Sequence, residues 1–406
     1  MSPESTAVEA WLFGFVRADA PRGEAARLAA VELFARLGDP QHRVRAVHIV
    51  GTAGKGTVAR MIAASLRAGG ATVGLHQSPH VHDIRERFMI ADDLPDWADV
   101  QAAIDEIRPH ADALAAAGRA PTFFALTTAI ALVMARHAET DWLVVEAGIG
   151  GRVDATNTFA RDDVVTAVTA IGLDHTDVLG ETPAAIAAEK AAVFAGRRVA
   201  VLGPQPHDEA ADAVRTIASA HDVRLVEIDG TNDWRSDAEA TAAAVLAELD
   251  PSAPAPAFAA QPGRYEEVHV PGVTPPIWIF DGAHNPMKLA ALAWPLQGEP
   301  VPRLGIISIG AGKDLAGCAA AIAPVLDAAI VVSFGPRAGE FGPRSHPPEE
   351  IAEALRAAGV DDVAVAADAD GAVAMAAKRN EPMTVAVTGS FLHLTAVREA
   401  LLRSGV

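Results

Sequence analysis

Short apolar runs alternate with amphipathic segments along most of this 406-residue chain. Residues 46–50 have the length and the β-branched content of a buried strand, and from residue 58 the apolar period changes to that of a helix. Strands that alternate with helices predict a parallel, doubly wound sheet with helices on both faces. The alternation stops at a proline-rich segment, residues 251–256, and restarts beyond it. We therefore predict two α/β domains, residues 1–261 and a smaller one at 262–406.

Two segments of the first domain are predicted to be long helices. Residues 92–118 carry a helical pattern, and Pro109 is expected to break it because proline lacks the N–H donor that a helix interior needs. Residues 123–136 are almost wholly apolar and follow Pro121 and Thr122, which is typical of the start of a buried helix.

A glycine-rich turn links the first strand to its helix. The stretch from His48 to Thr57 reads H-I-V-G-T-A-G-K-G-T. A strand, a glycine loop and a helix in succession direct backbone N–H groups and the positive end of the helix dipole at a phosphate. Lys55 can then reach the β- and γ-phosphates of a nucleotide, and the Thr57 hydroxyl can bind magnesium. The stretch predicts a nucleotide-binding loop.

The composition excludes several classes of partner. The formal net charge of −19 argues against a nucleic acid or an anionic membrane surface as a partner. No apolar run reaches the length of a membrane span, and the acidic N-terminus is unlike a signal peptide. The single cysteine, Cys318, excludes a disulfide framework. We expect a cytoplasmic monomer that acts on small molecules.

Chemically active side chains follow three predicted strands. Glu146 ends an apolar strand, where an unpaired carboxylate would be costly and magnesium is a natural partner. His175 follows the next strand and Lys55 the first, and the carboxyl ends of parallel strands meet at one edge of a sheet. We therefore expect one site there. Taken singly, each could be structural, as could Lys190, a helix lysine for which the sequence suggests no packing role.

Several blocks of sequence, together with the loop form G-T-x-G-K-G-T, follow the order and spacing of a known family. They are V-E-A-G-I-G-G-R-V-D-A-T-N (145–157), G-L-D-H-T-D-V-L-G (172–180), A-E-K-A-A-V-F (188–194), P-G-R-Y (262–265), F-D-G-A-H-N-P (280–286), I-G-A-G-K-D (309–314) and V-T-G-S-F (387–391). Over residues 30–400 the chain resembles the folylpolyglutamate synthase/dihydrofolate synthase family of the Mur ligase superfamily.

The resemblance implies a P-loop domain with a doubly wound, mostly parallel sheet, followed by a smaller Rossmann-like α/β domain. It also implies an ATP-dependent amide ligase. In that reaction the γ-phosphoryl group of ATP passes to a substrate carboxylate, and the amine of L-glutamate attacks the resulting acyl phosphate. The implied ligands are ATP, two Mg²⁺ ions, L-glutamate and a pterin- or folate-type acceptor, and Lys190 is implied to be carbamylated.

By the same resemblance, residues of both domains have site roles. The implied ATP-binding residues are Gly51, Thr52, Gly54, Lys55, Gly56, Thr57, Arg264, Asp281, His284 and Asn285. The implied magnesium ligands are Thr57, Ser78, Glu146, His175 and carbamylated Lys190, and the implied catalytic residues are Lys55, Glu146, His175 and Lys190. The implied substrate-binding residues are Ser78, Thr122, Phe124 and Asp154, with Lys313 and Ser390 contacting glutamate.

The chain departs from the family pattern at three places. Ala53 replaces an asparagine that is usual in the phosphate loop. Ala125 stands where a glutamate commonly follows the T-x-F of the pterin region. The segment after Ser78-Pro79-His80 reads V-H-D-I-R-E-R instead of the usual run that ends in Asn-Glu-Arg. Two of these departures lie on the acceptor side.

Three functions therefore stay open. The first is a folylpolyglutamate synthase, with or without dihydrofolate synthase activity, and the second is a related ligase that joins an amino acid to a different carboxylate. The third is a nucleotide-dependent switch without ligase activity, which would leave Arg264, Asp281 and His284 without a role. The identity of the acceptor separates the first two.

Overall fold

The computed structural model of the protein describes residues 3–16, 21–159, 161–231, 233–258, 261–268, 277–334, 344–379 and 384–404. The chain divides into two compact units, Met1–Ala259 and Ala260–Val406. The predicted division, after Gln261, lies two residues further along the chain.

The first unit is a sheet covered by helices. Its helices are α1 (Pro3–Phe13), α2 (Gly23–Arg36), α3 (Lys55–Ala68), α4 (Trp97–Ala116), α5 (Phe123–His137), α6 (Thr176–Leu179), α7 (Pro183–Ala191), α8 (Asp208–Ala220) and α9 (Trp234–Leu249). Its strands are β1 (Arg45–Val50), β2 (Val73–His76), β3 (Phe88–Ile90), β4 (Trp142–Glu146), β5 (Val165–Val168), β6 (Val199–Leu202) and β7 (Arg224–Glu227). Among the described residues the strand order is β3-β2-β4-β1-β5-β6-β7, and only the β2–β3 pair is antiparallel.

Both faces of this sheet are buried. Side chains of a strand point alternately to its two faces, and in β1 Val47 and Ile49 pack with α3 and α9. On the opposite face Ala46 packs in the cluster that contains α2, α4 and α5, and Val50 packs with α7 and α8. Burial on both faces explains why the strands are apolar runs without polar alternation.

Helix α4 continues through Pro109, so the predicted break is wrong. The proline removes one helical hydrogen bond, at a cost of about 3 kcal/mol. Ile104 and Ile107 before it and Ala111 and Leu114 after it are buried in one core cluster. The packing of this continuous apolar face outweighs the missing bond.

The second unit is a smaller α/β sheet. Its strands are β8 (Glu266–Val268), β9 (Ile277–Phe280), β10 (Arg303–Ile307), β11 (Ala328–Val331), β12 (Asp362–Val365) and β13 (Thr384–Thr388). Its described helices are α10 (Pro286–Leu296), α11 (Leu315–Ile322), α12 (Pro348–Ala357), α13 (Ala369–Ala377) and α14 (Phe391–Ser404). The order is β12-β11-β10-β13-β9-β8 in the described strands, parallel except for β8 against β9. The predicted fold class is confirmed.

None of the helices in the described ranges has both the length and the apolar character that a membrane crossing requires.

Helix α2 provides a test of this packing. Leu33 is fully buried and Leu28, on the same helix, is 53% exposed. We expect Leu33→Ala to lower the free energy of unfolding by about 2–5 kcal/mol because it leaves a cavity. Leu28→Ala is the matched control, with an expected change within about 0.5 kcal/mol. Urea unfolding followed by circular dichroism measures both, and equal shifts would contradict the assigned burial.

Candidate active site

The glycine loop after β1 has the geometry of a phosphate-binding turn. Gly54 precedes α3 with a left-handed backbone, φ 84°. The first intrahelical bond runs from Val58 N to Gly54 O, so the N–H groups of residues 54–57 have no acceptor within the helix. Such unpaired groups at the positive end of a helix favour a phosphate. This part of the loop agrees with its predicted role.

The loop after β5 supports this turn from one side. The backbone N–H groups of Thr52 and Ala53 donate to Ala170 O, at 2.9 and 3.1 Å. The Thr52 hydroxyl donates to Gly172 O at 3.1 Å. Thr52 is therefore engaged in holding the loop in place, and its backbone N–H is already used within the protein.

Lys190 supports the turn from the other side. Its ammonium group is buried, and Nζ donates to Gly51 O at 2.8 Å. The expectation that Lys190 has no packing role is therefore wrong, because α7 directs its last turn at the phosphate loop. Gly51 is required here, since a Cβ atom would lie 1.9 Å from Thr169 Oγ1.

Glu146 brings Lys55 and Ser78 together at the end of β4. Its carboxylate is buried, Oε2 accepts the backbone N–H of Ser78 at 3.1 Å, and Oε1 lies 3.6 Å from Lys55 Nζ. The sheet order β2-β4-β1 places the ends of the strands that lead to Ser78, Glu146 and Lys55 next to one another. Burial of a carboxylate is costly unless it is paired, and the Lys55 ammonium and the Ser78 N–H offset part of that cost.

The oxygen donors around Glu146 fit a hard cation. Thr57 is buried, and within the described residues neither its hydroxyl nor that of Ser78 makes a hydrogen bond. Across those same residues, no cluster of three or more His, Cys, Asp or Glu side chains could hold a metal ion by itself. Magnesium commonly takes one or two carboxylates and fills its other positions with phosphate oxygens and water. The ligand set Thr57, Ser78, Glu146 and His175 stays a prediction of that kind.

His175 lies at the start of α6 in a left-handed conformation, φ 51°. Its side chain is 41% exposed, and Nε2 lies 3.8 Å from Asp174 Oδ1. The described contacts tie its loop to the phosphate loop through Gly172 and Thr52. A strained residue with an exposed imidazole is typical of a functional position.

Two of the predicted acceptor residues, Phe124 and Asp154, lie on or in the loop after β4, residues 148–157, which we call the acceptor loop. A Cβ atom on Gly148 would lie 2.9 Å from the ring of Phe124, so that ring lies directly on the loop. Thr122 caps α5 by accepting the N–H of Ala125 at 3.1 Å. Asp154 accepts the N–H groups of Ile149 and Thr156, each at 2.9 Å, and burial raises its pKa.

The acceptor loop also packs on the helix that carries Lys190. A Cβ atom on Gly151 would lie 2.5 Å from Lys190 O and 2.9 Å from Glu189 O. Arg152 N donates to Glu189 O at 3.1 Å, and its guanidinium pairs with the Glu189 carboxylate at 3.0 Å. The acceptor loop and the phosphate loop thus share α7 as a neighbour.

In the second unit, Asp281 joins two of the motifs that carry the family resemblance. Its carboxylate accepts Tyr265 N and Ala283 N, each at 2.8 Å. Burial raises its pKa to about 6. The Arg264 guanidinium lies 5.4 Å from the centre of the Phe391 ring.

The histidine of the same loop has a defined tautomer. His284 Nδ1 lies 2.7 Å from Gly282 O and therefore carries the proton, so Nε2 accepts a hydrogen bond from Lys288 Nζ at 3.0 Å. Asn285 caps α10 by accepting the N–H of Lys288 at 2.9 Å. The ATP-binding role of Arg264, Asp281, His284 and Asn285 stays a prediction.

The two residues predicted to contact glutamate are engaged locally. Ser390 Oγ accepts the N–H of Leu392 at 3.2 Å at the start of α14. The backbone of Lys313 forms a turn with Gly310, and its carbonyl accepts from His346 Nε2 at 3.2 Å. Their predicted contacts with glutamate stay predictions.

Arg87 is a residue near the site that the sequence pattern does not single out. It is almost fully buried, Nε donates to His80 Nδ1 at 2.8 Å, and its guanidinium lies 5.2 Å from the Phe123 ring centre. Burial lowers its pKa to about 10. Arg87 lies just before the short strand β3, and the hydrophobic pattern of the sequence does not indicate that its side chain is buried.

Comparisons with known proteins agree with this geometry. A family model described as "Mur ligase, glutamate ligase domain" matches residues 263–391. The dihydrofolate synthase/folylpolyglutamate synthase of Escherichia coli is 33% identical over 90% of this chain and 89% of that protein. The chain belongs to the folylpolyglutamate synthase/dihydrofolate synthase family. The predicted family is confirmed.

Two further members show the extent of the likeness. An Escherichia coli FolC structure in complex with DHPP and ADP has a TM-score of 0.84 and 26% identity, with both chains covered over their full length. A Halobacterium salinarum protein described as a probable bifunctional folylpolyglutamate synthase/dihydropteroate synthase is 34% identical over 92% of this chain. The chain spans 49% of that relative, about half of its length.

Loss of the Glu146 charge should remove activity without unfolding the protein. In Glu146→Gln the amide oxygen can still accept the Ser78 N–H, so we expect an unchanged thermal transition. ATP turnover should fall about a hundredfold or more, because the site loses a hard anionic ligand. His175→Ala, at an exposed ring, should have the same effect.

The matched control is Glu209→Gln on the exposed face of α8, which should leave turnover unchanged. Near-normal turnover in either site variant would remove that residue from the metal site.

Proposed function

We propose that this protein is an ATP-dependent amide ligase that joins L-glutamate to a folate-type carboxylate through an acyl phosphate. The observation that carries the proposal is the contact of Lys55 with the buried carboxylate of Glu146 beside the phosphate loop. Membership of the family supports the acceptor class. The proposal includes a monomer in the cytoplasm, and light scattering tests the oligomeric state.

The reaction has two steps that the site residues would assist. A carboxylate oxygen of the acceptor attacks the γ-phosphorus of ATP, the bond to the β–γ bridging oxygen breaks, and ADP leaves. The amine of glutamate then attacks the acyl carbon, loses a proton, and inorganic phosphate leaves as the amide forms. Both steps bring anions together, so positioning and charge neutralisation are the main tasks of the protein.

Each residue has one such task. The N–H groups of residues 54–57 would bind phosphate oxygens, and the Lys55 ammonium would neutralise charge on the transferring phosphoryl group. Thr57, Ser78, Glu146 and His175 would hold Mg²⁺, which when bound spreads the negative charge of the triphosphate. The acceptor loop with Phe124 would hold the pterin part and orient its carboxylate.

Carbamylation of Lys190 is part of the proposal, as is a second metal ion. A carbamate forms on a neutral amine, and burial disfavours the ammonium form. A carbamylated lysine keeps one N–H, so the bond to Gly51 O is compatible with the modification. The new carboxylate could then serve as a metal ligand beside the phosphate loop.

The acceptor is best identified by ADP release. The purified protein is assayed with ATP, Mg²⁺ and L-glutamate, and in turn with dihydropteroate, tetrahydrofolate and unrelated carboxylates. We expect release that depends on both glutamate and a pterin acceptor. ADP release only with an unrelated carboxylate would favour the related ligase that joins an amino acid to a different carboxylate. ADP release that no acceptor stimulates would contradict the proposal.

Variants at Lys190 test the carbamate. Lys190→Ala should be nearly inactive, and Lys190→Arg should be no better, since arginine keeps a positive charge but cannot form a carbamate. Short-chain carboxylic acids should partly restore the alanine variant by supplying the missing ligand.

The matched control is Lys378→Arg at the exposed end of α13, which should behave as wild type. Thermal unfolding of all variants separates loss of the Gly51 contact from loss of the carbamate. A Lys190→Arg variant with wild-type activity would refute the carbamate.

A further inference from the structure

A buried histidine in β1 connects the core of the first unit to the acceptor loop. His48 is fully buried, and its Nε2 lies 2.8 Å from Thr156 Oγ1. Within the described residues its other ring nitrogen, Nδ1, is buried without a hydrogen-bond partner. An aliphatic residue would fill a sheet core without that penalty, so the histidine is retained at a cost to stability.

The direction of each hydrogen bond follows from the partners. The Thr156 hydroxyl lies within hydrogen-bond distance of Asp154 Oδ1, at 2.5 Å. Both oxygens of Asp154 already accept backbone N–H groups, so Thr156 donates its hydroxyl proton to Asp154 and accepts a hydrogen bond from His48. The proton of the neutral ring is therefore on Nε2, which agrees with the bare Nδ1. Burial lowers the pKa of His48 to about 3, and the ring stays neutral at working pH.

This chain of bonds organises the acceptor loop. Asp154 also accepts Ile149 N and Thr156 N, so one carboxylate joins the two ends of the loop. Without His48, neither the Asp154 carboxylate nor the Thr156 hydroxyl would have a described side-chain hydrogen bond to β1. The ring thus adds a hydrogen bond between the acceptor loop and β1, besides the contacts of that loop with α7.

β1 is also the strand that leads directly into the phosphate loop. His48 is three residues before Gly51, whose carbonyl is held by Lys190. The opposite side of the acceptor loop packs on the same α7, through Gly151 and Arg152. Both attachments of the acceptor loop are therefore made to elements that contact the phosphate loop.

We propose that His48 is a positioning residue, which acts through the Thr156 hydroxyl to hold the acceptor loop at a fixed place relative to the phosphate loop. The inference rests on the proposed function, because acceptor binding by this loop is part of it. It assigns to a core histidine the alignment of the acceptor carboxylate with the γ-phosphate, although the histidine itself touches neither.

The test removes one hydroxyl group. Thr156→Val deletes both bonds of the hydroxyl at nearly constant volume, and Thr156→Ser retains them. Thr216→Val is the control, since the hydroxyl of Thr216 bonds to Asp212 O within α8, outside the acceptor loop. His48→Leu removes the ring donor, and His48→Gln offers an N–H near the same position.

The first measurement does not depend on activity. By hydrogen–deuterium exchange, amides of residues 148–157 should exchange about tenfold faster in Thr156→Val and His48→Leu. Thr156→Ser, His48→Gln and Thr216→Val should exchange as wild type. Residues 51–57 should be unaffected in all of them.

The second measurement is the steady-state kinetics with the acceptor identified by ADP release. The KM for the acceptor should rise about tenfold in Thr156→Val, with the KM for ATP unchanged, because only acceptor placement is lost. The double variant Thr156→Val/His48→Leu should be no worse than either single variant, since the two residues act in one chain.

Unaltered exchange in Thr156→Val would overturn the inference, as would equal rises in both KM values. If wild-type protein releases no ADP with any acceptor, the proposed function fails. The exchange result still decides whether His48 holds the loop.

Discussion

The shape of the phosphate loop depends on hydrogen bonds from two neighbouring segments to its backbone. Lys190 holds the Gly51 carbonyl from α7, and Ala170 accepts the N–H groups of Thr52 and Ala53 from the loop after β5. These bonds use the first half of the loop, and the N–H groups of residues 54–57 remain without helical acceptors. In a chain with a net charge of −19, an anion site must be built locally in this way.

Several residues that carry the family resemblance accept hydrogen bonds from the protein's own backbone and so hold its loops and helix ends in place. Asp154 accepts N–H groups from two parts of one loop, and Asp281 accepts N–H groups from two segments, one before β8 and one after β9. Thr122, Asn285 and Ser390 cap helices. Such roles are compatible with ligand binding, because a carboxylate or a hydroxyl has further lone pairs. They also mean that substitution would disturb the loop as well as any ligand contact.

The sequence predicts the parts of the structure that rest on local pattern. The alternation of apolar runs and helical periods correctly predicts two mostly parallel sheets, and Glu146 lies at the end of a strand as predicted. Short strands such as β7, which is only partly buried, lack a run long enough to detect. Helix α4 continues through Pro109 because the packing of its apolar face outweighs the hydrogen bond that the proline removes. The contact of Lys190 with Gly51 joins positions far apart in the chain, so no local pattern reveals it.

Two glycines of the acceptor loop differ in how replaceable they are during evolution. At Gly148 the obstacle to a side chain is the ring of Phe124, which a smaller residue at that position would remove. At Gly151 the obstacle is the backbone of Glu189 and Lys190. Because every residue type has these backbone atoms, no second substitution can remove it. The contact of the loop with Phe124 can therefore be altered by paired changes, while its attachment to α7 admits no such pair.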